Sequence, residues 1–366
     1  MRVVLVTSLE RGGPIEQALL LSRGLARAGW TVLVTCANAQ LAERFAVDGV
    51  RAEVAPMRHQ RDAPGAARVW RLARGAEVIH AHDRRAGLWT RLGPRPSRRG
   101  VRIYTTHGLP EPYLPPPVGP EHPGLRATLL YRGLDAALSA RSDAIIVPSQ
   151  AVAENLIARV GYPRDKVVVV PNGIELPEDE LGGGELIGTV SLLEPVKGLE
   201  TFLRAAAQLA ERHPEWRFAS YGTGSCAGSL QALSRQLGLD GKMQWPGFRP
   251  AAEALASLRL YVICSYMENA PLSLLEAMAG GVPVVASAVG GIPEIADDSV
   301  ARMVPAGDAD ALARAIELAC TQTAETSSRA RAARARVQER FTAERNAQTI
   351  SELYERMLAR RVGRRE

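Results

Sequence analysis

From Glu268 to Glu294 the chain reads E-N-A-P-L-S-L-L-E-A-M-A-G-G-V-P-V-V-A-S-A-V-G-G-I-P-E. Pro271 suits the first position of a helix, where the N–H that proline lacks has no intrahelical partner. Ser273–Ala279 then read as helix, Gly280 and Gly281 end it, and Val282–Ala286 form the short apolar run of a buried strand. Glu268 falls in the loop before the helix and Glu276 on it. Two carboxylates can therefore point into one crevice beside a helix N-terminus that favours anions. A carboxylate accepts two hydroxyl hydrogens at once, as a ribose diol or a pyranose offers them, and the helix start suits a diphosphate. The plainer alternative is an amphipathic helix carrying two solvated glutamates.

Working outward, the same alternation of short apolar run and helix fills the chain. In the first half, Val3–Thr7, Thr31–Thr35, Glu77–His80, Val101–Thr106, Ala144–Val147 and Val167–Val170 read as strands. Ile15–Ala28, Ala86–Leu92, Leu125–Leu138 and Ala151–Val160 read as helices between them. In the second half the strands are Leu186–Val190, Trp216–Tyr221, Met243–Trp245, Leu260–Cys264 and Val282–Ala286, and the helices Leu199–Ala210, Leu230–Leu237 and Ala251–Leu258. Alternation of this kind predicts an α/β protein with parallel sheets covered on both faces. Pro171-Asn172-Gly173 is a turn, and the polar, glycine-rich stretch from Pro177 to Gly184 suits a linker. The expected domains are therefore 1–175 and 185–340. Arg329–Arg340 and Ala343–Arg361 read as long closing helices, with 341–366 as a separate final segment. A Pro-rich segment, Pro110–Pro123, interrupts the first domain and cannot form regular structure. With Tyr113 and Leu114 it is either an acceptor or membrane contact or an inert loop.

The 366 residues are enough for two separate cores. The four cysteines, Cys36, Cys226, Cys264 and Cys320, are isolated, which argues against a disulfide framework or a zinc site and fits a reducing cytosol. The apolar run at Arg2–Thr7 is too short for a signal peptide, and no stretch approaches ~18 apolar residues. Charge is uneven. Residues 1–170 carry 24 Lys+Arg against 14 Asp+Glu, residues 171–328 carry 10 against 20, and the tail carries 11 against 5. A basic first half suggests an anionic partner, either a membrane surface or a phosphorylated acceptor. Nucleic acid is disfavoured by the scarcity of aromatics and the lack of a recognisable binding module. The expected location is cytoplasmic, peripheral on the inner face of the cell membrane.

Several other loops carry chemistry. Gly12-Gly13-Pro14 follows the first strand and opens a helix, so backbone amides can approach an oxygen-rich ligand, or it is simply a tight turn. His80, His82 and His107 follow first-domain strands, at the edge where open α/β sheets bind ligands. His80 and His82 could begin a metal site, but no third ligand is evident, so no metal is expected. Asp83 is a weaker neighbour. Tyr221-Gly222-Thr223-Gly224 and Gly247-Phe248-Arg249 are glycine turns after strands. Asp308-Ala309-Asp310 reads as a helix N-cap rather than a metal motif.

Taken together, these segments resemble the retaining glycosyltransferases of family 4. That resemblance covers nearly the whole chain and is strongest from 185 to 305. It implies the GT-B fold: two Rossmann-like domains facing across a cleft, with a final helix crossing back to the first. It implies donor-binding roles for Gly12, Gly13, Gly222, Gly224, Phe248, Arg249, Asn269, Ala270, Leu272 and Glu276, with Glu276 holding the ribose. It implies that Glu268 holds the donor sugar, that Lys197 neutralises the diphosphate and that His107 shapes the reacting centre, with His82 and Tyr113 on the acceptor side. The donor would be a UDP- or GDP-sugar, with no cofactor and no metal. The acceptor would be a hydroxyl on a lipid-linked saccharide for surface polysaccharide or glycolipid. Transfer to a soluble small molecule, a degenerate binding module and a sugar-nucleotide epimerase are the alternatives. The sequence departs from the family at Leu192, where an arginine is usual, with Arg11 and Arg249 as candidate substitutes. It departs again at Ala270-Pro271-Leu272, where many relatives have a glycine.

Overall fold

The computed structural model describes residues 1–108 and 125–363, the side chains of 125–131 and 363 excepted. Tyr113 and the Pro-rich segment lie outside them. The described residues form two compact units, one of residues up to Glu175 together with those from Thr342 onward, the other Leu176–Phe341.

The first unit is a seven-stranded sheet. Its strands are β1 (Arg2–Val6), β2 (Thr31–Cys36), β3 (Arg51–Val54), β4 (Val78–Ala81), β5 (Val101–Thr105), β6 (Ala144–Val147) and β7 (Val167–Val169). All pair in parallel, in the order β3-β2-β1-β4-β5-β6-β7. Strand side chains alternate between faces, and the sheet buries both. Val3 and Leu5 point into one apolar cluster, and Val4 and Val6 into the other. The helices are α1 (Gly13–Arg27), α2 (Ala39–Phe45), α3 (Ala63–Ala73), α4 (Arg84–Leu92), α5 (Leu125–Ala140) and α6 (Gln150–Asn155). The single helix read over Ala151–Val160 splits, because its last turn, Leu156–Val160, widens to a π turn that ends at Gly161.

The second unit repeats the plan with six parallel strands. They are β8 (Leu186–Val190), β9 (Phe218–Tyr221), β10 (Met243–Gly247), β11 (Leu258–Ile263), β12 (Val284–Ser287) and β13 (Arg302–Val304), in the order β10-β9-β8-β11-β12-β13. Its helices are α7 (Leu199–Arg212), α8 (Ala227–Gln236), α9 (Ala251–Ala256), α10 (Leu272–Ala279), α11 (Ile292–Ile295), α12 (Ala309–Thr321) and α13 (Thr323–Arg340). Pro171-Asn172-Gly173 closes the first unit, where Gln17 donates to the Gly173 carbonyl at 2.7 Å. Asp308 caps α12, accepting from the Ala311 amide at 2.8 Å, as its position before the helix suggested. Pro271 sits one residue earlier than expected. It flanks α10 with extended backbone, and the helix begins at Leu272. Val282 likewise stays outside β12.

The last helix, α14 (Ala343–Gly363), belongs to the first unit. Ala347, Ile350, Leu353 and Tyr354 complete the cluster that contains Val3, Leu5 and Ile15. Trp30 donates its indole N–H to Ser351 Oγ at 2.8 Å and packs edge-on against Tyr354, with ring centroids 5.3 Å apart. Tyr354 is fully buried. We therefore expect Tyr354→Ala to cost about 3–5 kcal/mol, the range for truncating a buried aromatic ring. Urea denaturation followed by Trp30 fluorescence would measure it. A loss below about 1 kcal/mol would mean that α14 is not part of the first unit's core.

Candidate active site

Both sheets reverse their winding between the first and fourth strands of the unit, β1/β4 and β8/β11. Loops leaving neighbouring strands part there, and open α/β sheets bind ligands in that crevice, at the C-terminal ends of the strands.

In the second unit, five loops meet at this edge. The loop after β8 carries Leu192 and Lys197. It is pinned to the loop after β9, because Leu193 N donates to Thr223 O at 3.0 Å. Gly222 has φ +135, and a Cβ there would lie 1.9 Å from Ser191 O, so only glycine lets the two loops touch. Its N–H reaches Gly247 O at 2.9 Å, which draws in the loop that bears Phe248 and Arg249. Lys197 closes a single 3₁₀ turn (Pro195–Lys197), and its carbonyl receives the Cys264 thiol at 3.3 Å. Tyr266 N donates to Val196 O at 2.9 Å. These contacts fix Lys197 against the loop after β11.

The central feature is the pair that results. Lys197 Nζ lies 2.7 Å from Glu268 Oε1, which also accepts from Ser265 Oγ at 2.7 Å. The Glu268 side chain is 8% exposed and that of Lys197 21%, so the pair is largely shielded from water. Glu268 is seated from behind by the turn after β12. Gly291 N donates to Glu268 O at 3.0 Å, and a Cβ on Gly290 would lie 1.8 Å from that oxygen. Glu276 is half-buried on α10, and both carboxylates bear electrostatically on the buried Tyr261 phenol, whose hydroxyl donates to Ser273 Oγ at 2.8 Å. Asn269 is half-buried in the loop, Ala270 is buried, and Leu272 opens the helix. At the rim, Leu192 is 58% and Phe248 73% exposed. Arg249 pairs with Glu253 at 3.4 Å in an exposed contact.

In the first unit the corresponding edge holds a cavity of about 340 Å³, lined among others by Ser8, Pro14, His82, Asp83, Arg85 and His107. Gly12 caps the start of α1 with φ 102, and Gly13 is its first helical residue. Asp83 ties the crevice together. It caps α4 by accepting from Ala86 N at 2.9 Å, and it takes Ser8 N and Ser8 Oγ, both at 2.6 Å, across the β1/β4 divide. His80, His82 and His107 form a stack, with centroids 4.2 Å apart for the first pair and 5.8 Å for the second. Both His80 nitrogens are taken, by Tyr354 OH at 2.5 Å and Thr105 Oγ1 at 2.6 Å. His82, 2% exposed, has no partner on either ring nitrogen among the described residues, and His107 has none on Nε2. An unpaired buried polar atom costs about 1–3 kcal/mol.

Residues expected from sequence thus gather in two sets. Lys197, Glu268, Asn269, Ala270, Leu272, Glu276, Gly222, Gly224, Phe248 and Arg249 lie on loops and a helix at one edge of the second sheet. Gly12, Gly13, His82 and His107 lie at the equivalent edge of the first. Sequence reading missed Ser8, Gln60, Arg84 and Arg85 as cavity residues, and it gave Asp83 too little weight. An Asp that follows a strand and precedes a helix is an N-cap signal that could have found the last.

Comparison with known proteins bears on both units. The family described as Glycosyltransferase Family 4 matches residues 11–178, and Glycosyl transferases group 1 matches residues 177–337. WcaL of Escherichia coli K12, named as a colanic acid biosynthesis glycosyltransferase, is 31% identical over 190 residues, 46% of each chain. The amylovoran biosynthesis glycosyltransferase AmsK of Erwinia amylovora is 30% identical over 230 residues, 58% of this chain and 56% of that one. The matched region spans about half the length of these relatives. The crystal structure of Anabaena HepE in complex with UDP and glucose superposes with a TM-score of 0.81 at 21% identity, over 97% of this chain and 99% of that one. That likeness shows the GT-B fold.

The histidine stack has a consequence for stability. Burial pushes His107 down to about 4, against the opposing pull of Asp83, and pushes His80 down to about 3, with His107 as the second cause. His82 falls well below its ordinary value, first through burial and then through its two histidine neighbours. An unfolded chain takes up these protons near pH 6.5. The folded chain refuses them until far lower pH, so stability is full above about 6.5 and falls as pH drops toward 4. Each such histidine costs about 1.4 kcal/mol per pH unit across that window. Urea midpoints measured from pH 7.5 to 4.5 should fall, and His107→Asn should flatten the slope. A midpoint constant down to pH 5 would show that these rings are solvated.

Proposed function

We propose a reaction for a chain that belongs to the group 1 glycosyltransferases of family 4: it moves a hexose from a UDP- or GDP-sugar, with retention, to a hydroxyl of a lipid-linked saccharide. The observation that carries this reading is the Lys197–Glu268 pair, held at the switch point of the second sheet by two glycine turns. Lys197 supplies a cation for the diphosphate as the nucleotide leaves. Glu268, one oxygen committed to Lys197 and Ser265, turns the other to the donor sugar. Glu276 accepts from the ribose hydroxyls, and the start of α10 faces the phosphates. The leaving phosphate takes the acceptor's proton, so the reaction needs neither a dedicated base nor a metal. His107 lines the cavity of the first unit.

The names of WcaL and AmsK support a surface-polysaccharide acceptor, and HepE's bound UDP and glucose support a uridine donor. No helix among the described residues is long and apolar enough to cross a membrane. The basic first half supports attachment to an anionic inner membrane face. Leu192, exposed where the family has an arginine, favours a second reading: a module that binds nucleotide sugar with little or no turnover.

Nucleotide release from UDP- and GDP-sugars, taken singly with and without a membrane-lipid extract, tests the first reading. Release of one nucleotide should rise with extract and fall about 10²–10³-fold in Lys197→Ala. Absence of release with every donor would favour the second reading. Leu192→Arg adds a preorganised donor to the diphosphate site, and we expect it to raise kcat/KM for the donor by about tenfold or more. An unchanged value would mean that Leu192 does not face the phosphates.

A further inference from the structure

We propose that a cluster of arginines at the edge of the first sheet opposite its crevice binds a phosphoryl group, carried by a soluble molecule or by a lipid headgroup. Arg95, Arg102, Arg141 and Arg361 form the cluster around one carboxylate, Asp143. The site is separate from the proposed reaction, since none of these residues lines the first-unit cavity or belongs to the second unit.

Arg102 is the second residue of β5, and Asp143 immediately precedes β6, so both lie where strands begin. Arg95 comes from the loop between α4 and β5, and Arg361 from the last turn of α14. The Asp143 carboxylate is fully committed. Its Oδ2 accepts from Arg95 Nη1 at 2.7 Å and from the Arg102 backbone N–H at 2.8 Å. Its Oδ1 accepts from Arg361 Nη1 at 3.1 Å and from Arg95 Nη2 at 3.4 Å. A carboxylate offers about four such positions, so none is left for the guanidinium of Arg102.

That guanidinium is the observation that points to a ligand. Arg102 is 5% exposed; its Nη2 donates to Gly93 O at 2.5 Å, and its Nε has no partner among the described residues. Arginine keeps its charge in a protein, and a buried charge requires a counter-charge. Burial, and then Arg95 and Arg141, push the Arg102 guanidinium down to about 10, against the pull of Asp143. Helix capping explains only one member of the cluster fully. Arg141 donates to Arg91 O at 2.6 Å and to Leu92 O at 3.3 Å, at the end of α4 where a cation is favoured. Three guanidiniums, those of Arg95, Arg102 and Arg361, still share one carboxylate. The side chains of Arg95 and Arg361 are 30% and 22% exposed, so the cluster opens to solvent. A guanidinium fork matches phosphoryl oxygens in pairs. A phosphate, with about −1.5 to −2 charge at neutral pH, meets the excess more fully than a second carboxylate.

The test is titration of the full chain, ¹⁵N-labelled at arginine, with inorganic pyrophosphate and, at equal ionic strength, acetate. The Arg102 Nε–H signal, assigned by its loss in Arg102→Lys, should shift saturably with pyrophosphate and stay in place with acetate. Lys197 can also meet pyrophosphate, so the titration is repeated in Lys197→Ala, where the Arg102 shift should persist. In Arg95→Gln, which keeps a hydrogen bond to Asp143, the affinity should fall about tenfold or more. If that variant unfolds, the wild-type Arg102 signal still decides. Cosedimentation with phosphatidylcholine vesicles containing phosphatidate identifies a lipid source if binding is lost in Arg95→Gln, and pyrophosphate binding identifies a soluble one. An equal shift with acetate, or no shift with pyrophosphate together with vesicle binding that ignores Arg95→Gln, would overturn the assignment.

Discussion

A parallel sheet whose strands wind outward in both directions from the first strand must part its loops where the winding reverses. That constraint acts twice in this chain, at β1/β4 and β8/β11, and all the candidate chemistry follows from it. At each reversal the backbone leaves a crevice that side chains must line and stitch. In the first unit the stitch is Asp83, which accepts from Ser8 on the facing loop while capping its own helix. In the second it is a set of contacts between the loops after β8 and β11, from Tyr266 N to Val196 O, from the Cys264 thiol to Lys197 O and from Lys197 Nζ to Glu268. Either crevice would collapse or splay without such cross-links, because buried backbone groups there have no strand partner.

The two crevices handle polarity in opposite ways. The second holds a shielded ion pair, Lys197 with Glu268, and a buried charge pair is tolerated only when further hydrogen bonds satisfy it. Ser265 supplies that support to the carboxylate, while the Gly290-Gly291 turn holds the Glu268 backbone. The first holds stacked imidazoles that burial keeps neutral. A charged site suits a diphosphate, whose negative charge a cation and a helix start can meet. A neutral one suits hydroxyls, which need a donor and an acceptor but no counter-charge.

The histidine stack also gives α14 a role beyond packing. Tyr354 completes the apolar cluster around Val3 and Leu5 and at the same time fixes the tautomer of His80, on which His82 rests. Stability and site geometry in the first unit thus share one side chain, and the polar network is expensive to break at either end.

The sequence by itself determined the alternation of strands and helices, the parallel class, the family and most of the loops at the ligand-binding edge. Those are local signals: apolar periodicity, glycine and proline punctuation, and motifs of fixed spacing. It did not reveal β3 or β13, because edge strands are short and carry charge, here Arg51, Glu53 and Arg302, so their apolar pattern is weak. It placed Pro271 inside a helix that it only flanks, since boundaries depend on cap geometry that spacing does not encode. Only the tertiary structure decided that Lys197 and Glu268 are partners, that Asp83 bridges two loops, and that His82 is buried with its ring unpaired. Those facts join residues from 25 to 274 positions apart. No local pattern records a contact that exists only once two sheets have each folded around their own reversal.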